Sequence, residues 1–235
     1  MSPLNPLNPA TGNVPVPNDR REVGAALRAG RVTYRIYPYF EWRFGERGRK
    51  FTHSDSAWLA WLTRFDQARV DQDVDWLRGL LANRGMPSPL LETHLRRLER
   101  ELPRTVPPRA SQYARLANAA DRLRRAREEM ISAERERRLV DEFVDGLGQG
   151  ALPLVRGVAK LLVASVADEK VGVVNAVSSL RDWLADVPTL RRVPALRRRL
   201  DPSRRRLLDS RAFERTWRDA VERTVEGARH GGERR

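Results

Sequence analysis

Apolar side chains recur three and four positions apart over most of this chain, the spacing that lines one face of an α-helix. Trp58, Trp61 and Phe65 share such a face, with Ser54 or Asp55 as its N-cap, and Val70, Val74, Leu77 and Leu81 mark a second helix that Gly85 ends. Ser88 followed by Pro89 reads as an N-cap with proline at the first helical position, and Leu91, Leu95, Leu98 and Leu102 form the buried stripe behind it. The run PRTVPPR, residues 103–109, breaks that helix and is the best internal boundary, because proline withholds the amide a helix needs. From about Ser111 to Asp145 the spacing predicts one long amphipathic helix carrying Leu116, Ala120, Leu123, Met130, Leu139 and Phe143, kinked where the stripe drifts near Arg137. Gly146, Gly148 and Gly150 then make a hinge. Leu154 to Val166 is apolar enough for a central helix, and Val174, Val177, Leu180 and Leu184 continue the spacing, so the C-terminal region is expected to hold the main core. Pro188, Pro194 and Pro202 cut the next stretch into short pieces before Phe213, Trp217, Val221 and Val225 define a last helix, and Gly231 and Gly232 begin a frayed tail.

The N-terminal third carries two competing patterns. Val32, Tyr34 and Ile36 alternate as in a short extended piece, and Pro38 suits a first helical position. Beyond it Tyr37, Phe40, Phe44, Gly48 and Phe51 share a helical face, whereas Phe40, Trp42 and Phe44 alternate as a strand does, with GERG as its turn. Gly45 and Gly48 each cost a helix roughly 1 kcal/mol relative to alanine, yet the helical reading is preferred because everything downstream is helical. The opening MSPLNPLNPATGNVPVPNDRR has neither the basic nor the apolar region of a secretory signal and reads as a disordered tail. The fold class that follows is all-α, a multi-helix bundle with at most a short extended segment near 31–37. Its expected parts are a tail over 1–25, an N-terminal helical subdomain over 26–105 and a C-terminal helical bundle over 110–235.

Composition narrows the chemistry. A 235-residue chain with 40% apolar content can build a core. It has no cysteine, which excludes disulfides, thiolate metal sites and cysteine nucleophiles and suits a reducing cytoplasm. The longest apolar stretch, Ala151 to Ala167, contains Arg156 and Lys160 and falls short of the ~20 apolar residues of a membrane span. The net charge is +14 and is carried almost wholly by arginine, the only lysines being Lys50, Lys160 and Lys170. Codon composition alone can produce such a bias, so position matters more than total. Between Thr189 and Arg206 stand eight arginines, Arg191, Arg192, Arg197, Arg198, Arg199, Arg204, Arg205 and Arg206, against the single acid Asp201, a surplus of +7 and half of the whole. The stretch from Tyr113 to Asp141 instead mixes Arg124, Arg125, Arg127, Arg135 with Glu128, Glu129, Glu134, Glu136, as a solvated helix does.

Seven of the sixteen aromatic residues fall between Tyr34 and Phe51, in YRIYPYFEWRFGERGRKF, interleaved with Arg35, Arg43, Arg47, Arg49 and Lys50. Aromatic faces beside guanidinium groups stack on bases, hold a flat ligand or anchor a partner. Other motifs dissolve on inspection. GLGQGA, from Gly146, fits a dinucleotide fingerprint but follows a polar helix rather than a strand. Asp71, Asp73 and Asp75 open like a calcium loop, yet Trp76 and Ala82 occupy the positions where glycine and an acid are required. His53, Ser54, Asp55 and Ser56 hold the residue types of a hydrolytic triad, but sequence neighbours seldom reach relay geometry. No zinc-finger, RNP or basic-zipper pattern is present.

Two functional expectations result. The leading one is a non-catalytic cytoplasmic binding or regulatory protein that engages an acidic partner, DNA or RNA first, by phosphate neutralisation at Arg191, Arg192, Arg197, Arg198, Arg199, Arg204, Arg205 and Arg206 and at the 34–51 segment. The alternative is a helical sensor holding a small molecule or haem-like cofactor near Tyr37, Phe40, Trp42, Phe44 and His94, with His94 as axial ligand. No catalytic or metal-ligating set is expected.

Overall fold

The computed structural model describes residues 14–148, 155–185, 197–198 and 200–230. Their regular elements are all helical: α1 (Arg20–Ile36), α2 (Pro38–Leu62), α3 (Gln67–Ala82), α4 (Ser88–Thr105), α5 (Ala110–Met130), α6 (Ala133–Gly146), α7 (Val155–Lys170), α8 (Ala176–Ala185), α9 (Pro202–Asp209) and α10 (Arg211–His230), with a 3-10 turn at Pro107–Arg109. There is no strand among the described residues, so the all-α class read from the periodicity is the fold. Of the expected features, most of the N-terminal tail, Gly150, Leu154, Pro188, Pro194, Gly231 and Gly232 lie outside the described residues.

Three local expectations are corrected. The alternation of Val32, Tyr34 and Ile36 does not make an extended piece: α1 runs through it from a cap at Asp19, whose carboxylate accepts from Arg21 N, and so also takes in residues 20–25 of the expected tail. Neither Ser54 nor Asp55 starts a helix, because both lie inside α2, well past its kink at Gly45, and the Ser54 hydroxyl donates back to the Phe51 carbonyl at 2.9 Å, a bond open to serine inside a helix. The long helix breaks at Ile131–Ser132, not near Arg137. Ser132 takes an extended ψ of 152° and accepts from Arg135 N, while Glu134 and Glu136 complement the dipole of the new first turn. Ile131 therefore turns inward and Met130 faces out.

The chain divides into two compact units, Met1–Trp76 with Leu90–Leu123, and Leu77–Pro89 with Arg124–Arg235. In the first, α1 packs on α2 through Ala25, Ala26 and Ala29, small side chains that let two backbones approach. The expected stripe Leu91, Leu95, Leu98, Leu102 is buried, facing the first unit's core together with Tyr113, Leu116 and Ala120. In the second unit α7 contacts α6, α8 and α10 and is buried nearly all round, from Val158 to Ala167 with only Lys160 exposed. Trp217 of α10 is fully buried there, edge-on to Phe143 at 5.6 Å, and its indole N–H donates to the Leu184 carbonyl at 2.8 Å.

Candidate functional site

The aromatic run is assembled by a kinked helix. Proline supplies the start of α2, and Gly45, at φ 52° and ψ −142°, bends it in a conformation that side-chain-bearing residues rarely hold. Gly48 is needed for a second reason: a Cβ there would collide with the Tyr34 hydroxyl and Phe44. Around these two glycines Phe40 stacks on Tyr34 at 5.2 Å, meets Tyr37 edge-on at 6.2 Å and touches Tyr39, which meets Phe44 edge-on at 6.1 Å. Tyr34, Tyr39 and Phe40 are buried, and burial pushes both phenols up to about 12. Arg43 lies over the Phe44 ring at 5.2 Å and donates to the Tyr39 hydroxyl at 2.6 Å, while Arg47 lies over Phe51. The rings are thus committed to one another and to Arg43. The residues the segment leaves exposed are Arg35, Ile36, Glu46, Arg47 and Lys50, all but one of them charged.

Of the residues grouped for a sensor site, Tyr37 reaches α4 through a 2.8 Å hydrogen bond with the Thr93 hydroxyl. His94, next to it, is buried: Nδ1 lies 3.0 Å from Thr33 Oγ1 and Nε2 3.0 Å from Ser56 Oγ. Both hydroxyls also lie within donating distance of helix carbonyls, Thr33 of Ala29 and Ser56 of Thr52. The ring pins α1, α2 and α4 together, and burial lowers its pKa to about 4, so it is neutral near pH 7. An iron would have to displace one of those hydroxyls. Trp42 Nε1, by contrast, is buried with no hydrogen-bond partner among the described residues.

In the arginine-rich segment, Arg191, Arg192 and Arg199 lie outside the described residues. Arg197 forks onto Asp209 at 2.9 and 3.2 Å, and that carboxylate raises its pKa further. Asp201 caps α9 by accepting from Arg204 N at 2.9 Å, and that backbone hydrogen bond, aided by the charge of the facing Arg204 side chain, holds Asp201 below its ordinary value. Arg205 donates to the Leu200 carbonyl and Arg206 to the Ser203 hydroxyl. Arg198 is exposed. Among the described residues no carboxylate pairs with Arg198, Arg205 or Arg206, whereas Arg197 and Arg204 are partly neutralised from within.

Two features escaped the sequence reading. Glu22 is fully buried and accepts from Arg64 at 2.8 Å, Arg109 at 2.7 Å and the Tyr113 hydroxyl at 2.5 Å, partners 42, 87 and 91 positions away. In the sequence it falls within the expected tail over 1–25, and nothing in the local pattern marks it. Trp58 and Trp61, whose shared helical face the spacing predicts, are only half-buried; Trp58 meets Trp76 edge-on at 5.9 Å, Trp61 meets Phe65 at 4.8 Å, and Trp76 is 61% exposed. Asp71 and Asp75 pair with Arg122, and Asp73 with Arg69. Among the described residues no three His, Asp or Glu side chains gather as a metal site, and no helix is long and apolar enough to cross a membrane. No protein-family model, no curated protein and no solved structure matches the chain.

Proposed function

We propose that this chain is a non-catalytic helical binding or regulatory protein that engages an acidic partner, nucleic acid first among them, through the 34–51 and 191–206 segments. The observation that carries the reading is the set of exposed cations with no carboxylate beside them among the described residues: Arg35, Arg47 and Lys50 in the first segment, Arg198, Arg205 and Arg206 in the second. Leaving so many like charges unpaired raises the self-repulsion of the fold, a cost that an acidic partner removes. On the expected division of the chain, one surface belongs to the subdomain over 26–105 and the other to the bundle over 110–235. A chain without cysteine needs no oxidising compartment, and we assign it to the cytoplasm on that ground.

The test is titration of the full chain against labelled duplex DNA, heparin and poly-glutamate at low salt. The reading requires binding to at least one of them, weakened steeply by added salt. Absence of binding to all three overturns it. A second reading, the helical sensor, draws on the buried and unpartnered Trp42 Nε1, a donor that a ligand acceptor would satisfy. Its haem form requires a Soret-type band on adding haem, altered in His94→Ala; a protein that takes up no haem removes that form.

A further inference from the structure

The α1–α2 hairpin carries a charge imbalance that its own contacts leave unresolved. From Arg31 to Lys50 it holds six cations, Arg31, Arg35, Arg43, Arg47, Arg49 and Lys50, against Glu41 and Glu46. Arg43 is spent on Tyr39 and Phe44, and Arg47 on Phe51. Arg49 lies 3.2 Å from Glu46, an exposed pair that fixes little. Arg31, Arg35 and Lys50 are exposed with no ion-pair partner among the described residues.

These cations sit on two adjoining helix faces. Arg31 and Arg35 stand one turn apart on α1, and Glu46, Arg49, Lys50 and His53 share one face of α2 at positions i, i+3, i+4 and i+7. The two faces adjoin at Gly30, where a Cβ would stand 3.5 Å from His53 Cδ2 and 3.4 Å from Thr52 Cγ2. On this seam His53 Nε2 is buried, with no hydrogen-bond partner among the described residues.

We propose that this face, formed by Arg31, Arg35, Arg49, Lys50 and His53, seats the phosphate backbone of a nucleic acid, a proposal that rests on the acidic-partner reading above. Guanidinium forks match pairs of phosphate oxygens, and Lys50 adds a mobile point charge. Tyr34, Tyr39 and Phe40 are buried in their own cluster and offer no face for bases, so recognition is of backbone rather than sequence. Ile36 is the one exposed large apolar residue on this hairpin before Lys50, too little to enter a bilayer, which disfavours a membrane surface.

Occupancy of this face is linked to a proton. Burial first, then Arg31 of α1 and Arg49 of α2, hold the His53 pKa below its ordinary 6.5, with Glu46 opposing. On α4, His94, bonded to the neighbouring Ser56, stays neutral until about pH 4. Phosphate placed against Arg31 and Arg49 offsets their repulsion, so His53 takes up a proton on binding and affinity rises as pH is lowered.

The experiment measures affinity of the full chain for a short labelled duplex DNA across salt and pH. In the triple variant Arg31→Gln, Arg35→Gln, Lys50→Gln, the slope of log affinity against log salt should shrink by about 2–3, since each phosphate contact contributes ~0.9. His53→Gln should bind as wild type at the high-pH end and lose the gain at low pH, and Arg31→Lys with Arg35→Lys should keep the slope. If the triple variant is not folded by circular dichroism, the His53→Gln and lysine variants decide. An unchanged slope and an unchanged pH profile place the contacts elsewhere and overturn this inference while the acidic-partner reading stands. Binding of poly-glutamate or phosphatidylserine vesicles but not DNA overturns nucleic acid as the ligand, again leaving that reading intact.

Discussion

His94 makes the stability of this fold depend on pH in a window where carboxylates contribute little. In the unfolded chain an imidazole takes its proton near pH 6.5, whereas in the fold burial keeps His94 neutral down to about 4. Between those values the unfolded chain holds more protons than the native one, so stability is full above about pH 6.5 and declines as pH falls toward 4. A shift from 6.5 to about 4 corresponds to roughly 3 kcal/mol over the whole window, and about 2 kcal/mol is already lost at pH 5. The perturbation is His94→Gln, which keeps polar contact with Thr33 and Ser56 but cannot titrate. Urea midpoints followed by far-ultraviolet circular dichroism at pH 7.5, 5.5 and 5.0 give the assay. The variant should start less stable at pH 7.5, because the bridge among α1, α2 and α4 is altered, and then fall less than wild type between pH 7.5 and 5.0. Parallel losses in the two proteins would refute the reasoning.

Glu22→Gln should destabilise the chain by about 2 kcal/mol: a buried pair broken from one side costs ~3–5 kcal/mol, and Arg64 and Arg109 are partly solvated, at 29% and 23% exposed, which offsets some of that. A change in urea-derived stability under ~0.5 kcal/mol would contradict the claim that this carboxylate organises the first unit. Trp217→Phe removes the indole donor from the Leu184 carbonyl inside the second unit's core and should cost roughly 2–3 kcal/mol. Hydrogen exchange checks it, with amides of α7, α8 and α10 expected to exchange faster; unchanged protection there would argue that this packing is dispensable.

What the sequence disclosed follows from the range of each interaction. Stripes such as Leu91, Leu95, Leu98 and Leu102, and the apolar run that becomes α7, are set by spacing within one helix, and they were legible. The start of α2 at Pro38 was legible for the same reason, since proline acts on its own turn, whereas Pro202, read only as a breaker, opens α9 behind the Asp201 cap. The break at Ile131 was not, because the same periodicity is served by Met130 in a continuous helix and by Ile131 in a broken one, and Ser132 decides between them only through its cap. The arginine and aromatic segments were visible as composition, but which guanidinium groups are spent depends on partners brought close by folding. Asp209 reaches Arg197 across 12 positions, and Glu22 reaches Arg109 across 87. The same limit hid the exposure of Trp76, whose neighbour Trp58 lies on another helix.

The salt dependence of polyanion binding by the unaltered chain bears most directly on the central claim that its surplus cations face an acidic partner. Affinity for a short duplex DNA, measured by fluorescence anisotropy at pH 6.5 over a series of salt concentrations, should give a straight line of log affinity against log salt. With three or more phosphates neutralised its slope should be about −3 or steeper. A slope near zero, or no binding at the lowest salt to DNA or to any other polyanion, would contradict the account.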